Sequence, residues 1–226
     1  MHLLILGRGK TGSLVAEVAS ERHHVVTTLD EPENTNARAL TPGTLAPIDV
    51  VIDFTTPSAV VANAEACIRA GKNMVVGTTG WYDQLPRLRE QVLAAKTGFL
   101  YGSNFSIGVN LFFEIAKTAS AALKHDYTGQ IRERHHAQKK DAPSGTAITL
   151  QKILRESGSP EVEIVSFREG DAVGLHEIVL NSDNDHITLT HDAKSRRGFA
   201  EGAVRAAEWL TGRTGFFEFR EVWKQL

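Results

Sequence analysis

The sequence predicts an α/β protein: a Rossmann-type doubly wound parallel sheet with a second α+β domain built on a mostly antiparallel sheet. Three observations predict it. Short apolar runs alternate with helical patterns through the first half. A glycine-rich turn follows the first apolar run, and beyond Asn104 strands follow one another with few helices between them. A chain of 226 residues can bury one large core or two modest ones.

His2–Leu6 is a nearly unbroken apolar run, as expected of a strand buried on both faces. Ser13–Arg22 reads as a helix and His24–Leu29 as a second strand ending at Asp30. Ile48–Phe54 is a third strand. Ser58–Ala70 forms a helix opened by Pro57 and closed by Gly71. Met74–Val76 is strand four, Tyr82–Lys96 a helix, and Phe99–Tyr101 strand five. Only about 18 residues separate Asp30 from Asp49, with Pro32, Pro42, Gly43 and Pro47 among them, too few for a full helical crossover. After Asn104, Val109–Leu123 reads as one long helix. Strands follow at Gly129–His136, Glu161–Arg168, His176–Asn181 and His186–Asp192, with a hairpin turn near Ser182–Asp185. The helix Ala147–Glu156 interrupts them. Phe199–Leu210 is helical again, with Ala203, Ala206, Ala207 and Leu210 on one face. The expected division is 1–106 with 197–226 as the nucleotide lobe and 107–196 as an inserted second lobe.

The 25 Lys and Arg against 27 Asp and Glu give a net charge of −2, which argues against nucleic acid as the main partner. Cys67 is the single cysteine, so an internal disulfide and a multi-thiolate metal site are excluded and a reducing cytosol fits. Apolar runs such as NMVV at Asn73–Val76 are too short to cross a bilayer, and MHLLILGRG lacks the build of a signal peptide. The expectation is a cytoplasmic protein with no membrane partner.

Gly7-Arg8-Gly9-Lys10-Thr11-Gly12 fits GxGxxG after a buried strand and at the start of a helix. Glycines there permit a tight turn and close approach of backbone N–H groups to a pyrophosphate at the helix N-terminus. Asp30 lies 18 residues after Gly12, at the end of the second strand, where a carboxylate can accept hydrogen bonds from a ribose. The acidic Asp30-Glu31 pair would repel a 2′-phosphate and leans toward NADH, although Arg8 and Lys10 in the same loop could neutralise one. Gly77-Thr78-Thr79-Gly80 and Gly102-Ser103-Asn104-Phe105 follow strands four and five, at the carboxyl ends where this fold places the rest of the nucleotide. Each can equally be a polar loop or a helix cap.

The most informative stretch is Glu133-Arg134-His135-His136-Ala137-Gln138-Lys139-Lys140-Asp141-Ala142-Pro143-Ser144-Gly145-Thr146-Ala147. Arg132, Arg134, Lys139 and Lys140 crowd together with two histidines, a local cation density that suits a small dicarboxylate. The Ser144 and Thr146 hydroxyls and the N–H groups of the PSGT turn could hold a carboxylate at the start of the following helix. Histidine and lysine can both supply a proton. Neighbouring strand residues face opposite sides, so His135 and His136 can share a ligand only where the strand ends or bulges. His23 and His24 read as polar surface. A metal site is not expected, because no HExxH or Cys/His cluster accompanies the histidines.

The segment HHAQKKDAPSGTA resembles the signature of the 4-hydroxy-tetrahydrodipicolinate reductases, also called dihydrodipicolinate reductases, of lysine and diaminopimelate biosynthesis. GRGKTG, GTTGWYD and SNFSIGVN resemble the same family in the same order, so the likeness runs from Leu3 through the GAVRAAEWL helix. The resemblance implies hydride transfer from NADH or NADPH to C4 of a cyclic dicarboxylate with loss of water. It implies His135 as the catalytic proton donor or acceptor and Lys139 as a second proton donor. His136, Ser144, Gly145 and Thr146 would bind substrate carboxylates. Gly7 to Gly12, Asp30, Gly77 to Thr79 and Gly102 to Phe105 would contact the dinucleotide. A homotetramer assembled through the sheets of the second lobes is implied too. The chain departs from the family pattern at Thr11 and at Gln138. The alternatives are another two-domain dehydrogenase or a non-catalytic dinucleotide sensor; retention of both His135 and Lys139 speaks against the second.

Overall fold

The computed structural model describes residues 1–156 and 161–226. The strands are β1 (His2–Leu6), β2 (Val25–Leu29), β3 (Val50–Asp53), β4 (Asn73–Val76), β5 (Gly98–Tyr101), β6 (Thr128–His135), β7 (Val162–Arg168), β8 (Leu175–Asn181), β9 (His186–Asp192) and β10 (Gly215–Glu218). The helices are α1 (Lys10–Glu21), α2 (Pro42–Leu45), α3 (Pro57–Arg69), α4 (Leu85–Ala95), α5 (Ile107–Ala119), α6 (Gly145–Arg155), α7 (Arg197–Leu210) and α8 (Phe219–Val222). They fall into two units, Met1–Ile107 with Arg197–Leu226, and Gly108–Arg196.

In the first unit six parallel strands run in the order β10-β5-β4-β3-β1-β2. Successive side chains point to opposite faces, and both faces are covered. Leu3, Ile5, Val50, Ile52, Val75 and Leu100 pack under a core that includes Val15 of α1 and Ala203 of α7. Leu4, Leu6, Val51, Met74, Val76 and Phe99 pack on the other side with Val60 of α3 and Leu88 of α4. Cys67 is buried in this second core, where burial pushes its thiol up to about 12.

α1 begins at Lys10, earlier than the apolar periodicity predicts, because the glycine loop itself turns into the helix. Gly7 sits at φ +96°, and a Cβ there would lie 2.2 Å from the Phe54 carbonyl oxygen. A Cβ on Gly12 would lie 2.1 Å from the Gly7 carbonyl oxygen, so helix and loop touch backbone to backbone. Between β2 and β3 there are only a 3₁₀ turn, Thr35–Ala37, and one α-helical turn, α2, capped by the Thr41 hydroxyl, which accepts from Thr44 N. That fits the short spacing. The expected helix Val109–Leu123 instead ends at Ala119 and tightens into a 3₁₀ stretch, Ser120–Lys124. There the buried Ser120 hydroxyl donates to the Lys117 carbonyl. β10 was not expected: GFFE is short and follows the inserted unit, yet its alternation stacks Phe216 on Phe99 at 5.1 Å and sets Phe217 against Trp209 at 5.1 Å. His24 is not free surface either. Its Nε2 lies 2.8 Å from Glu208, which also takes two hydrogen bonds from Arg22, tying the end of α1 to α7.

The second unit carries a four-stranded sheet in the order β7-β6-β8-β9. β6–β8 and β8–β9 are antiparallel, while β6 and β7 are parallel and joined through α6. The β8–β9 turn closes through Ser182, whose N–H donates to the Asp185 carbonyl at 3.0 Å. Ile131, Val162, Ile178 and Leu180 form the inner face under Phe112 and Ala116 of α5 and Leu150 and Leu154 of α6.

α7 approaches the first unit's sheet through small residues, and Gly202 marks the closest point: a Cβ there would lie 1.8 Å from the Phe105 carbonyl oxygen. Alanine is favoured over glycine in a helix by ~1 kcal/mol. Overpacking against backbone outweighs this, so Gly202→Ala is expected to lower unfolding free energy by about 2 kcal/mol or more. Urea denaturation checks this; a variant as stable as the parent would show that α7 has room to shift.

Candidate active site

β6 ends in Arg132-Glu133-Arg134-His135, and its alternation sorts these four residues. Glu133 and His135 are buried on the inner face with Ile131, whereas Arg132 and Arg134 are exposed on the other. The two arginines pair there with Glu177 at 3.5 Å and Glu169 at 2.8 Å. The local cation density seen in the sequence therefore divides between two faces, and Arg132 and Arg134 do not join His135.

What does join His135 is a buried polar cluster built on Glu133. One carboxylate oxygen, Oε1, accepts from Ser144 N at 3.0 Å, Ser166 Oγ at 2.7 Å and Arg168 Nη2 at 2.8 Å. The other, Oε2, lies 3.3 Å from His135 Nδ1 and 3.7 Å from His176 Nε2. Burial opposes ionisation of Glu133, but His135, Ser144, Ser166 and Arg168 outweigh it and hold the carboxyl well below its usual range. His176 sits edge-on to His135 at 5.1 Å, with its Nε2 3.1 Å from Ser144 Oγ. Burial, reinforced by the charge His135 can carry, pushes His176 down to about 3, so this ring is neutral. Gly174 leaves the other side of His135 uncrowded: a Cβ there would lie 3.1 Å from its Nε2.

β6 stops at His135, which resolves the strand-alternation problem. His136 follows outside the ladder and donates its N–H to the Ala172 carbonyl at 2.8 Å. Lys139 Nζ lies 2.7 and 2.8 Å from the two Asp141 carboxylate oxygens. Lys139 outweighs the effect of burial on Asp141 and holds its carboxyl below the usual range. Ser144 differs from expectation. It is the N-cap of α6, its hydroxyl accepts from Ala147 N and bonds His176, and it is buried, so that oxygen is committed inward. Gly145 and Thr146 form the first turn of α6.

Glu133, His135 and His176 also have the composition of a cation site, with ligand atoms within 4.8 Å of one another. The Arg168 guanidinium, 2.8 Å from the same carboxylate, supplies the positive charge there already.

In the first unit a cavity of about 360 Å³ is lined by Gly7, Gly9, Asp30, Glu31, Asn34 and Thr55, among others. A Cβ on Gly9 would meet nothing within 4 Å, so this part of the loop opens onto free space. The α1 N-terminus, with Lys10, Thr11 and Gly12 in its first turn, has no side-chain cap. Arg8 donates to Thr28 Oγ1, the Thr28 carbonyl and Glu33, while Glu33 also accepts from Asp30 N. Behind the cavity the fully buried Asp53 accepts from Thr55 N, Thr55 Oγ1, Thr78 Oγ1 and Asn63 Nδ2. Burial pushes Asp53 up against the pull of these donors.

Thr78 thus turns its hydroxyl into the fold, and Gly77 is required by the Phe54 ring, 2.2 Å from a Cβ placed there. Thr79 and Ser103 are exposed. Asn104 Oδ1 accepts from Ser106 N at 2.9 Å. Gly102 and Phe105 are buried, the Phe105 ring lying 4.6 Å from Phe219 and 6.1 Å from Phe54. Sequence reading missed Glu133, Ser166, Arg168, His176 and Gly174 in one unit and Asp53 with Asn63 in the other. Strand alternation alone could have set Glu133 on the His135 face.

Two family models match the chain: dihydrodipicolinate reductase, N-terminus, over residues 1–105, and dihydrodipicolinate reductase, C-terminus, over 108–223. The chain belongs to the dihydrodipicolinate reductase family. The 4-hydroxy-tetrahydrodipicolinate reductase of Christiangramia forsetii is 39% identical across 100% of this chain and 99% of its own. That of Neisseria meningitidis serogroup A is 37% identical over 79% of this chain and 73% of its own. Among solved structures, the dipicolinate-bound dihydrodipicolinate reductase of Paenisporosarcina sp. TG-14 shares the fold at TM-score 0.79 and 24% identity, covering 98% of this chain and 99% of its own. An amine dehydrogenase of Mycobacterium smegmatis shares the architecture at TM-score 0.63 and 8% identity over 98% of this chain and 95% of its own. The fold alone therefore does not single out the reductases; membership rests on the two models and the identities.

The neutral His176 has a consequence for stability. Its folded value is lowered to about 3 from 6.5, so below about pH 6.5 the unfolded chain takes up a proton that the folded chain refuses. Stability is then lost as pH falls, by up to ~1.4 kcal/mol per pH unit from this ring. His176→Gln is expected to reduce the drop in melting temperature between pH 7 and pH 5 by roughly 2–6 °C. Thermal unfolding of both proteins at the two pH values checks it, and equal drops would place the acid sensitivity elsewhere.

Proposed function

We propose that this chain is a 4-hydroxy-tetrahydrodipicolinate reductase, reducing the cyclic dicarboxylate to tetrahydrodipicolinate with release of water. The observation that carries the proposal is the buried Glu133–His135 pair beside the α6 N-terminus, in a chain that two reductase family models match end to end. An NAD(P)H-dependent oxidoreductase needs a nucleotide cradle, and the residues present fit one. Gly9 opens onto free space, the first turn of α1 offers N–H groups, and Asp30 stands at the cavity wall. When bound there, NAD(P)H would supply the hydride that C4 of the ring receives after its hydroxyl has left, with a neighbouring ring hydrogen, as water.

The chain's own groups supply the rest. The first-turn N–H groups at Gly145 and Thr146, with His136, bind a substrate carboxylate at the positive end of α6. Lys139, drawn from Asp141 to the substrate, neutralises the second carboxylate or protonates the ring. His135 provides the proton that completes the product. The cofactor assignment leans to NADH. Asp30 and Glu31 both line the cavity, and Arg8 is bonded to Glu33 and Thr28, which leaves no unengaged guanidinium in this loop for a 2′-phosphate. We assign the nucleotide to residues 1–106 and 197–226 and the substrate to 107–196. A homotetramer built on the second unit's sheet fits its outer face, where Phe167 is exposed beside Arg134.

Freshly prepared substrate should be reduced with either NADH or NADPH, with the higher kcat/KM for NADH; oxidation of neither cofactor would overturn the assignment. His135→Gln is expected to lower kcat by about 10²-fold or more with unchanged cofactor affinity. Lys139→Ala should lower kcat and raise substrate KM together. Steady-state kinetics decide both, and wild-type values would remove the residue from the site.

A further inference from the structure

We infer that Glu133 is a positioning residue that fixes the proton of neutral His135 on Nδ1 and so presents Nε2 as the proton-transferring atom. The inference rests on the reductase reading for its kinetic meaning but not for its geometry. Glu133 Oε1 is saturated by donors whose identity is fixed, a backbone N–H from Ser144 and a guanidinium N–H from Arg168, with the Ser166 hydroxyl as third. Oε2 is left with His135 Nδ1 at 3.3 Å and His176 Nε2 at 3.7 Å. A carboxylate only accepts, so a hydrogen on Nδ1 is what lets a small rotation of the ring turn this 3.3 Å approach, not yet a hydrogen bond, into one. His176 has another partner for its Nε2, the Ser144 hydroxyl at 3.1 Å, so the carboxylate's remaining oxygen serves His135. Nε2 of His135 then lies on the side where Gly174 supplies no side chain.

The charge balance is simple. With His135 protonated on both nitrogens, Glu133 lies opposite the imidazolium while Arg168 balances the carboxylate from the other side. Once the hydroxyl has left with a neighbouring ring hydrogen as water, hydride arriving at C4 makes the adjacent ring carbon nucleophilic, and the Nε2 proton passes to that carbon. His135 is left neutral, with its Nδ1–H still on Glu133. No proton moves to Glu133 at any point, which matches the role of a carboxylate that orients a catalytic imidazole.

Glutamine at 133 tests this with the shape preserved. Its carbonyl must face the Ser144 and Arg168 donors, which turns its NH₂ toward His135 Nδ1. That nitrogen must then accept, and the neutral ring carries its proton on Nε2. Glu133→Gln is expected to lower kcat by about 10²-fold or more, with substrate and cofactor KM changed less than about threefold. Glu133→Asp, which keeps the charge and the acceptor, should recover at least about tenfold of that loss. The direct readout is the ¹⁵N spectrum of histidine-labelled protein above the imidazole titration range, with His135 resonances identified by their loss in His135→Gln. Nδ1–H in the wild type and Nε2–H in Glu133→Gln support the inference. Nε2–H in the wild type overturns it, even if the variants fail to fold. An unchanged tautomer and an unchanged kcat in Glu133→Gln overturn it too. A wild type that oxidises neither cofactor sinks the reductase reading instead, and the spectra still decide the positioning.

Discussion

The second unit depends on one buried carboxylate. Glu133 is fully enclosed, and an isolated charge in such a place costs several kcal/mol unless donors replace the lost water. The elements around it supply them: Ser144 from the start of α6 and Ser166 and Arg168 from β7 donate to it, while His135 of β6 and His176 of β8 stand 3.3 and 3.7 Å from its other oxygen. The register makes this possible, since Glu133 lies opposite Ser166 on one neighbour and His176 on the other. A shift of one residue in either pairing would turn Glu133 toward solvent and His135 with it. His135 is therefore positioned by the same requirement that fixes strand order and register.

The first unit uses the same device at its own strand ends. Asp53 closes β3 and accepts four hydrogen bonds, from the backbone and hydroxyl of Thr55, from Thr78 after β4 and from Asn63 of α3. Asn63 in turn accepts from Asn34, whose own Oδ1 accepts from Ala39 N, so the network reaches the segment that lines the cavity beyond Asp30. Loops at the carboxyl ends of parallel strands have few backbone partners of their own. A buried acceptor with several short polar neighbours gives them fixed positions without filling the cavity in front.

How much of this the sequence disclosed follows from the range of the interactions. Local patterns were legible: the buried strand at His2–Leu6, the glycine turn, the hairpin at Ser182–Asp185 and the start of a helix after Ser144 are set within a few residues. The identity of His135 and Lys139 came with a compact segment whose resemblance is specific. Arg168, His176 and Gly174 lie 33 to 43 positions from Glu133 and His135 in the chain, so only pairing of β6 with β7 and β8 reveals them. Ser144 shows the opposite difficulty. Its residue type suits a ligand and a helix cap equally, and only burial shows that its hydroxyl is used as the cap. β10 stayed hidden because four residues carry too little periodicity to distinguish a strand from a loop.

Charge is the clearest case of a sum concealing its parts. Of the cations gathered near His135 in sequence, Arg132 and Arg134 belong to the opposite face, and the guanidinium that matters comes from the neighbouring strand. Arg168 Nη2 reaches both Glu133 Oε1 at 2.8 Å and the Asp141 carbonyl at 2.6 Å, and its Nη1 donates to Phe167 O at 2.8 Å. A lysine ammonium is a single point, whereas the planar guanidinium fork can satisfy a carboxylate and separate carbonyls at once. Through that fork the segment carrying Lys139 and Asp141 is tied to Glu133, and through Ser144 N so is the N-terminus of α6. His135, the segment of Lys139 and Asp141, and the N-terminus of α6 all take their positions from a single carboxylate, and glutamine, which keeps the shape and the acceptor at Oε1, is the change at Glu133 that bears on His135 alone.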